Sequence, residues 1–208
     1  MGRWRDELMA LHDTAVPLWR AQVEDVLITG ELRYRIPKSS SHAAKTRAKA
    51  KFLKELAGKN ASSLEFLQAL TRAAREICHA DAAGVSMLVQ PPQGVASFRW
   101  VTTTGVLAGK AGCNSPRDWS PSGVTLERKS PQLFLYPGRC FHYLNELNPA
   151  IVEVLVVPIY VHGVSWGTLW VASHQEHRNF DQTDVEAMSS LVEYASSRLA
   201  RPVSAASA

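Results

Sequence analysis

The side chains in this chain whose types could carry chemistry are few, and most of them fall in its second half. Cys78, Cys113 and Cys140 are odd in number and irregularly spaced, which suits neither a disulfide framework nor a paired zinc knuckle. Cys140-Phe-His142 sets a thiol and an imidazole two residues apart, and His174 closes a strongly β-forming run. A thiol there can act as a nucleophile or an attachment point, and either histidine can contact a ligand or respond to pH. Each has a plainer reading: Cys140, beside Phe141 and Tyr143, as a small buried hydrophobe, and His142 and His174 as imidazoles bonded to backbone. Arg117 can pair an anionic ligand through its fork of donors, with Asp118 next to it as the competing partner. His174-Gln-Glu-His177 lacks the i, i+4 spacing that puts two histidines on one helix face, so no zinc site is expected. Gly163-Val-Ser-Trp-Gly167 has the Gly-x-Ser-x-Gly spacing but falls at the join of two β-forming runs, not at the strand-to-helix turn of a nucleophile elbow, and the chain contains no phosphate loop ending in Lys-Ser/Thr and no His-Glu-x-x-His.

A second group is aromatic. Trp100, Trp119, Phe134, Tyr136, Phe141, Tyr143 and Trp170 fall on strand-like segments or on the irregular stretches between them. Walls for a planar ligand would be built from such residues, and so would a core.

The elements that must position these groups follow from periodicity. Ser62-x-x-Glu65 is a capping box, followed by Leu67, Leu70, Ala74 and Ile77 on one face, and predicts a helix to about His79. Gly84–Gln90 and Ser97–Thr104 alternate, are rich in β-forming residues and flank Pro91-Pro-Gln-Gly94, which predicts an antiparallel hairpin. Gly105 to Pro131 is dominated by Gly, Ser, Pro and Asn and reads as a long loop roofing a site. Ile151–Val161 and Val164–Ser173, joined at His162-Gly163, predict two adjacent core strands. Asp181 caps a last helix with Val185, Met188, Leu191, Val192, Ala195 and Leu199 inward. Hairpin-joined strands between terminal helices specify an α+β fold, an antiparallel sheet with helices on one face and a loop-covered pocket on the other.

Upstream, residues 5–29 carry apolar residues at helical spacing broken at Pro17, Gly30–Ser41 reads as a linker, and Ala43–Leu56 as a surface helix docked by Phe52, Leu53 and Leu56. The expected organisation is a helical, basic extension over 1–60, a sensor domain over 61–200 and a fraying tail over 201–208. Residues 1–60 hold 12 Lys/Arg against 7 Asp/Glu, so the net charge of +4 belongs to the extension. Its basic run from Arg33 to Lys54 reads as a solvated face rather than a nucleic-acid site. No apolar run is long enough for a membrane span, and the N-terminus has the wrong order for a secretory signal, so a cytoplasmic chain without membrane insertion is expected.

The block from Glu153 to His174, with Phe180-Asp181 and the amphipathic helix after it, resembles the C-terminal half of GAF domains, and is similar to those of bacterial sensor kinases and phytochrome-like photoreceptors. The resemblance covers about residues 62–200. It implies a six-stranded antiparallel sheet, a small-molecule pocket on one face, and terminal helices that dimerise in parallel and signal to a partner. For the bilin-binding branch it implies a thiol at Cys140, followed by His142, and a chromophore contact at His174, although Phe141 separates Cys from His and no Asp-Ile-Pro-like segment precedes them. For GAF-fold methionine sulfoxide reductases it implies a thiolate that attacks sulfur and a second that resolves the product, roles that fall to Cys113 and Cys140 without the Ala-Cys-Asp context expected of the nucleophile. The reading that best fits the residues is a non-catalytic sensor whose candidate ligand-binding residues are Trp100, Trp119, Phe134, Tyr136, Cys140, His142, Tyr143, Trp170 and His174. A module that binds partners without a ligand is the remaining alternative.

Overall fold

The computed structural model describes residues 22–35, 46–47, 50–52, 63–176 and 179–201. The helices expected before residue 22, Ser62 of the capping box, His177 and the tail from residue 202 lie outside the described residues.

Six strands form one antiparallel sheet in the order β3-β2-β1-β6-β5-β4, with β1 at Ala82–Val89, β2 at Ser97–Gly105, β3 at Asn114–Pro116, β4 at Gln132–Leu135, β5 at Glu153–Val161 and β6 at Val164–Ser173. Both expected hairpins are present. His162 and Gly163 take φ of 51° and 77° at the β5–β6 turn, the two left-handed residues that match the twist of paired strands.

Strand alternation divides the sheet residues between two cores. Ala83, Val85, Leu155, Val157, Leu169 and Val171 pack beneath two helices, α1 (Ser63–Ile77) and α3 (Gln182–Leu199). The apolar spacing of both helices sends Leu67, Leu70, Ala74 and Ile77, and Met188, Leu191, Val192 and Ala195, into this core, and Phe52 joins them. Asp181 caps α3 by accepting from the Thr183 and Asp184 amides, while Asp184 accepts from the Asp181 amide. Ala82, Trp100, Phe134, Val154, Val156, Trp170 and Ala172 face the opposite core.

Two regions differ from expectation. The Gly105–Pro131 stretch is more ordered than a loop: it contributes β3 and an eight-residue helix, α2 (Pro121–Arg128), which packs on the pocket side of the sheet. Ser120 caps α2 by accepting from the Gly123 amide, and Pro121 opens its first turn, a legitimate place for proline. Gly123 is required by close approach, since a Cβ there would lie 2.0 Å from the Arg117 carbonyl oxygen. The same Pro, Ser and Gly that suggested a loop are thus the signals of a helix start.

The second difference is a strap at residues 22–35. Residues 26–29 extend the sheet beyond β4: the Leu135 amide donates to Val26, the Ile28 amide to Leu133, and the Leu133 amide to Thr29 Oγ1. Val23 and Val26 are buried in the pocket-side core and Leu32 in the helix-side core. The chain therefore wraps the β4 edge from one sheet face to the other. Thr29–Tyr34, expected to begin a linker, is a 3₁₀ helix anchored by Leu32.

Candidate functional site

On the pocket side, β1, β2 and β6 place Ser86, Trp100 and Trp170 around a cleft, and β5 adds Val154 and Val156. The β3 and α2 segments contribute Ser115, Pro121 and Ser122. The stretch before β5 supplies Tyr143, Leu144 and Ile151. The cavity volume is about 30 Å³, room for about two waters, and it is open to solvent.

The two tryptophans set its shape, with ring centroids 5.2 Å apart and planes at 54°. Trp170 lies flat on β1 because residue 84 has no side chain: a Cβ on Gly84 would come 2.2 Å from the ring. Its indole Nε1 donates to Ser86 Oγ at 3.0 Å. Ser122 Oγ pairs with Thr168 Oγ1 at 2.8 Å, and Tyr143 and Ser115 line the same cleft. Burial pushes the Tyr143 phenol well above its usual range, with the neighbouring Ser115 side chain acting the other way. Among the described residues no Asp, Glu, Lys, Arg or His lines the cleft.

Of the residues expected to bind a ligand, Trp100, Tyr143 and Trp170 meet here and the others do not. Phe134 is buried edge-on to Phe141, ring centroids 5.9 Å apart, in the apolar core. Cys140 is 2% exposed in the same core. Burial raises its thiol pKa, and the nearby Asp25 charge adds to the rise. Trp119 is partly exposed and donates through Nε1 to the Cys140 carbonyl at 2.8 Å, holding the chain around Cys140. His142 is exposed.

Tyr136, with φ of 47°, donates to Glu176 Oε1, and the Glu176 charge is the main reason its phenol pKa is raised. His174 lies at the end of β6. Its ring Nδ1 meets the Ala150 carbonyl at 2.8 Å and its amide donates to Asp81 Oδ2. Arg117 is paired with Asp118 at 3.6 Å and does not line the cleft.

Ser86, Ser115, Ser122, Pro121, Leu144, Ile151, Val154 and Val156 were not singled out from sequence. Only the strand alternation that puts Ser86 on the face of Gly84 could have found one of them.

A covalently held bilin is not matched by these residues, since Cys140 is packed in the apolar core and does not line the cleft. The thiol pair fares no better as a redox site: Cys113 is exposed, Cys140 and Cys78 are buried, and a thiol held protonated is a poor nucleophile. Among the described residues no group of three His, Cys, Asp or Glu side chains could hold a metal ion, and no helix is long and apolar enough to cross a membrane.

Comparison with known proteins supplies a family. Residues 60–200 match the model of a GAF domain. Among solved structures, the GAF domain of an Acinetobacter phosphoenolpyruvate-protein phosphotransferase is similar, with a TM-score of 0.63 at 14% identity, covering 76% of this chain and 93% of that one. A phycocyanobilin-bound GAF domain from a cyanobacterial phytochrome reaches 0.59 at 16%, over 75% and 93%. The free methionine-R-sulfoxide reductase of Neisseria meningitidis, in complex with its substrate, reaches 0.58 at 15%, over 76% and 89%. At these identities the likeness is one of fold. No curated protein matches.

Proposed function

From the premise that the chain belongs to the GAF domain family, we propose that it is a non-catalytic sensing domain, which binds a small molecule in the cleft between Trp100 and Trp170 and signals through its terminal helices to a protein partner or a second copy. The observation that carries this reading is the cleft itself: two indoles and an apolar wall surround a few hydroxyls, the composition of a binding site. Against catalysis stand the absence, among the described residues, of any ionisable group but a protonated tyrosine in its lining and the burial of Cys140 away from it.

The strap gives ligand occupancy a route to the helices. Val23 and Val26 belong to the core that contains Trp100, Trp170 and Leu144, whereas Arg35, a few residues on, donates to the Phe180 carbonyl just ahead of α3. A ligand that favours one packing of the cleft thereby biases the setting of α3 by population shift.

Native mass spectrometry of freshly purified protein tests the reading. A retained small molecule that is lost in a Trp170→Ala variant of unchanged fold is the expected result. A chain that carries no adduct, and whose Tm rises with no member of a metabolite library, would leave only the ligand-free interaction module.

A further inference from the structure

The hydrogen-bond accounting of the cleft restricts what it can hold. Ser86 Oγ accepts from Trp170 Nε1, so its own proton is left to donate, and no acceptor for it occurs among the hydrogen bonds of the described residues. The Ser122–Thr168 pair owns two hydroxyl protons and uses one between its members. Tyr143 also lines the cleft and keeps its proton, because burial disfavours the phenolate. The cleft therefore holds unspent hydroxyl donors, and among the described residues no cation lines it. An anion entering it would give up its hydration for neutral donors alone, and an unpaired buried charge is strongly disfavoured.

We infer that the cleft selects an uncharged ligand bearing a carbonyl or ring-nitrogen acceptor and rejects the corresponding anion, because Trp100 and Trp170 wall it while Ser86, Ser122 and Tyr143 offer protons without a counter-charge. The inference rests on the reading of the cleft as a ligand site and narrows it to a chemical class. A ligand larger than a few atoms must displace lining side chains, since the cleft holds only about 30 Å³. Bile pigments, which carry two carboxylates, fall outside the class.

The test is a titration of the intact chain with sets of probes matched in shape and differing in charge: acetamide and acetate, nicotinamide and nicotinate, and benzamide, benzoate and benzamidinium, at neutral pH. Binding is followed in ¹H–¹⁵N spectra by the indole N–H resonance of Trp170, assigned with Trp170→Phe, so that the site is located without disturbing the cleft. Val154→Phe, which fills the cleft, is the second control.

The expected result is that one or more of the amides moves the Trp170 resonance and the matched carboxylate binds at least about tenfold more weakly, a factor well within the cost of burying an unpaired charge. A carboxylate or amidinium that binds at this resonance as tightly as its amide overturns the inference and leaves the cleft a ligand site. Binding by no probe in any set overturns both.

Discussion

Arg35 Nη2 sits 2.7 Å from Oε1 of Glu153, a carboxylate with no exposure to solvent. The other carboxylate oxygen accepts from the Phe180 amide at 2.6 Å, and Arg35 Nη1 donates to the Phe180 carbonyl at 2.5 Å. One residue of the strap thus neutralises the first residue of β5 and fixes the turn into α3. Removing one member of a buried pair strands the other, at a cost of about 3–5 kcal/mol. Arg35→Ala is expected to lose that much in urea unfolding, and adding Glu153→Gln to restore part of it by removing the stranded charge. A loss below about 1 kcal/mol would put the pair with surface ion pairs and remove the strap from the account of signalling.

Gly84 controls the shape of the cleft through Trp170. The ring lies where a Cβ would be, so Gly84→Ala must tilt the indole or push β1 and β6 apart. Overpacking of this kind costs about 1–3 kcal/mol, and the near-ultraviolet circular dichroism of the Trp100–Trp170 pair is expected to change with it. Gly109→Ala is the control: nothing lies within 4 Å of a Cβ at that position, and stability should stay within about 0.5 kcal/mol of the parent. Equal effects from the two substitutions would mean that Trp170 does not depend on the gap at residue 84.

The three thiols separate by exposure. Cys113 is exposed, while Cys78 and Cys140 are buried, and Cys140 is further protected by its raised pKa. Titration of the native protein with a disulfide reagent is expected to modify Cys113 quickly and the other two only after unfolding. Rapid native modification of Cys140 would reopen the reductase and chromophore readings, both of which need that thiol accessible.

Much of this fold could be read from the chain because its signals were local. The alternation in Ser97–Thr104, the turn at His162-Gly163 and the Asp181 cap each specify an element without reference to anything distant. The strap was not legible, because its structure comes from contacts about a hundred residues away in sequence: Leu27 pairs with Phe134 and Arg35 meets Glu153. Read locally, Val23, Val26 and Leu27 fit a helix, and Gly30 with Pro37 suggests a linker. At the site, Trp100, Tyr143 and Trp170 stood out because large aromatic residues draw attention. Phe134 resembles them in type but belongs, with Cys140, to the core behind. Ser115 and Ser122 carry no periodic signal, and Ser86, which alternation places on the face of Gly84, shows its value only when its hydroxyl is seen to face an apolar wall.

Tyr143 makes the cleft sensitive to alkali, in a direction the linkage relation decides. An ordinary phenol has a pKa of about 10, and burial holds that of Tyr143 above it in the folded chain. Below about pH 10 the proton is bound in both states, so the residue adds no pH dependence. Above that, the unfolded chain releases the proton first and binds fewer than the folded one, so stability falls as pH rises. Cys140 and Tyr160, also raised by burial, act in the same sense, and the share of Tyr143 is isolated by difference. Tyr143→Phe is expected to lose less stability than the parent between neutral pH and about pH 11, as measured by urea unfolding across that range. Parallel pH profiles for the two proteins would show that the phenol titrates freely, and Tyr143 would then no longer serve the cleft as a fixed donor.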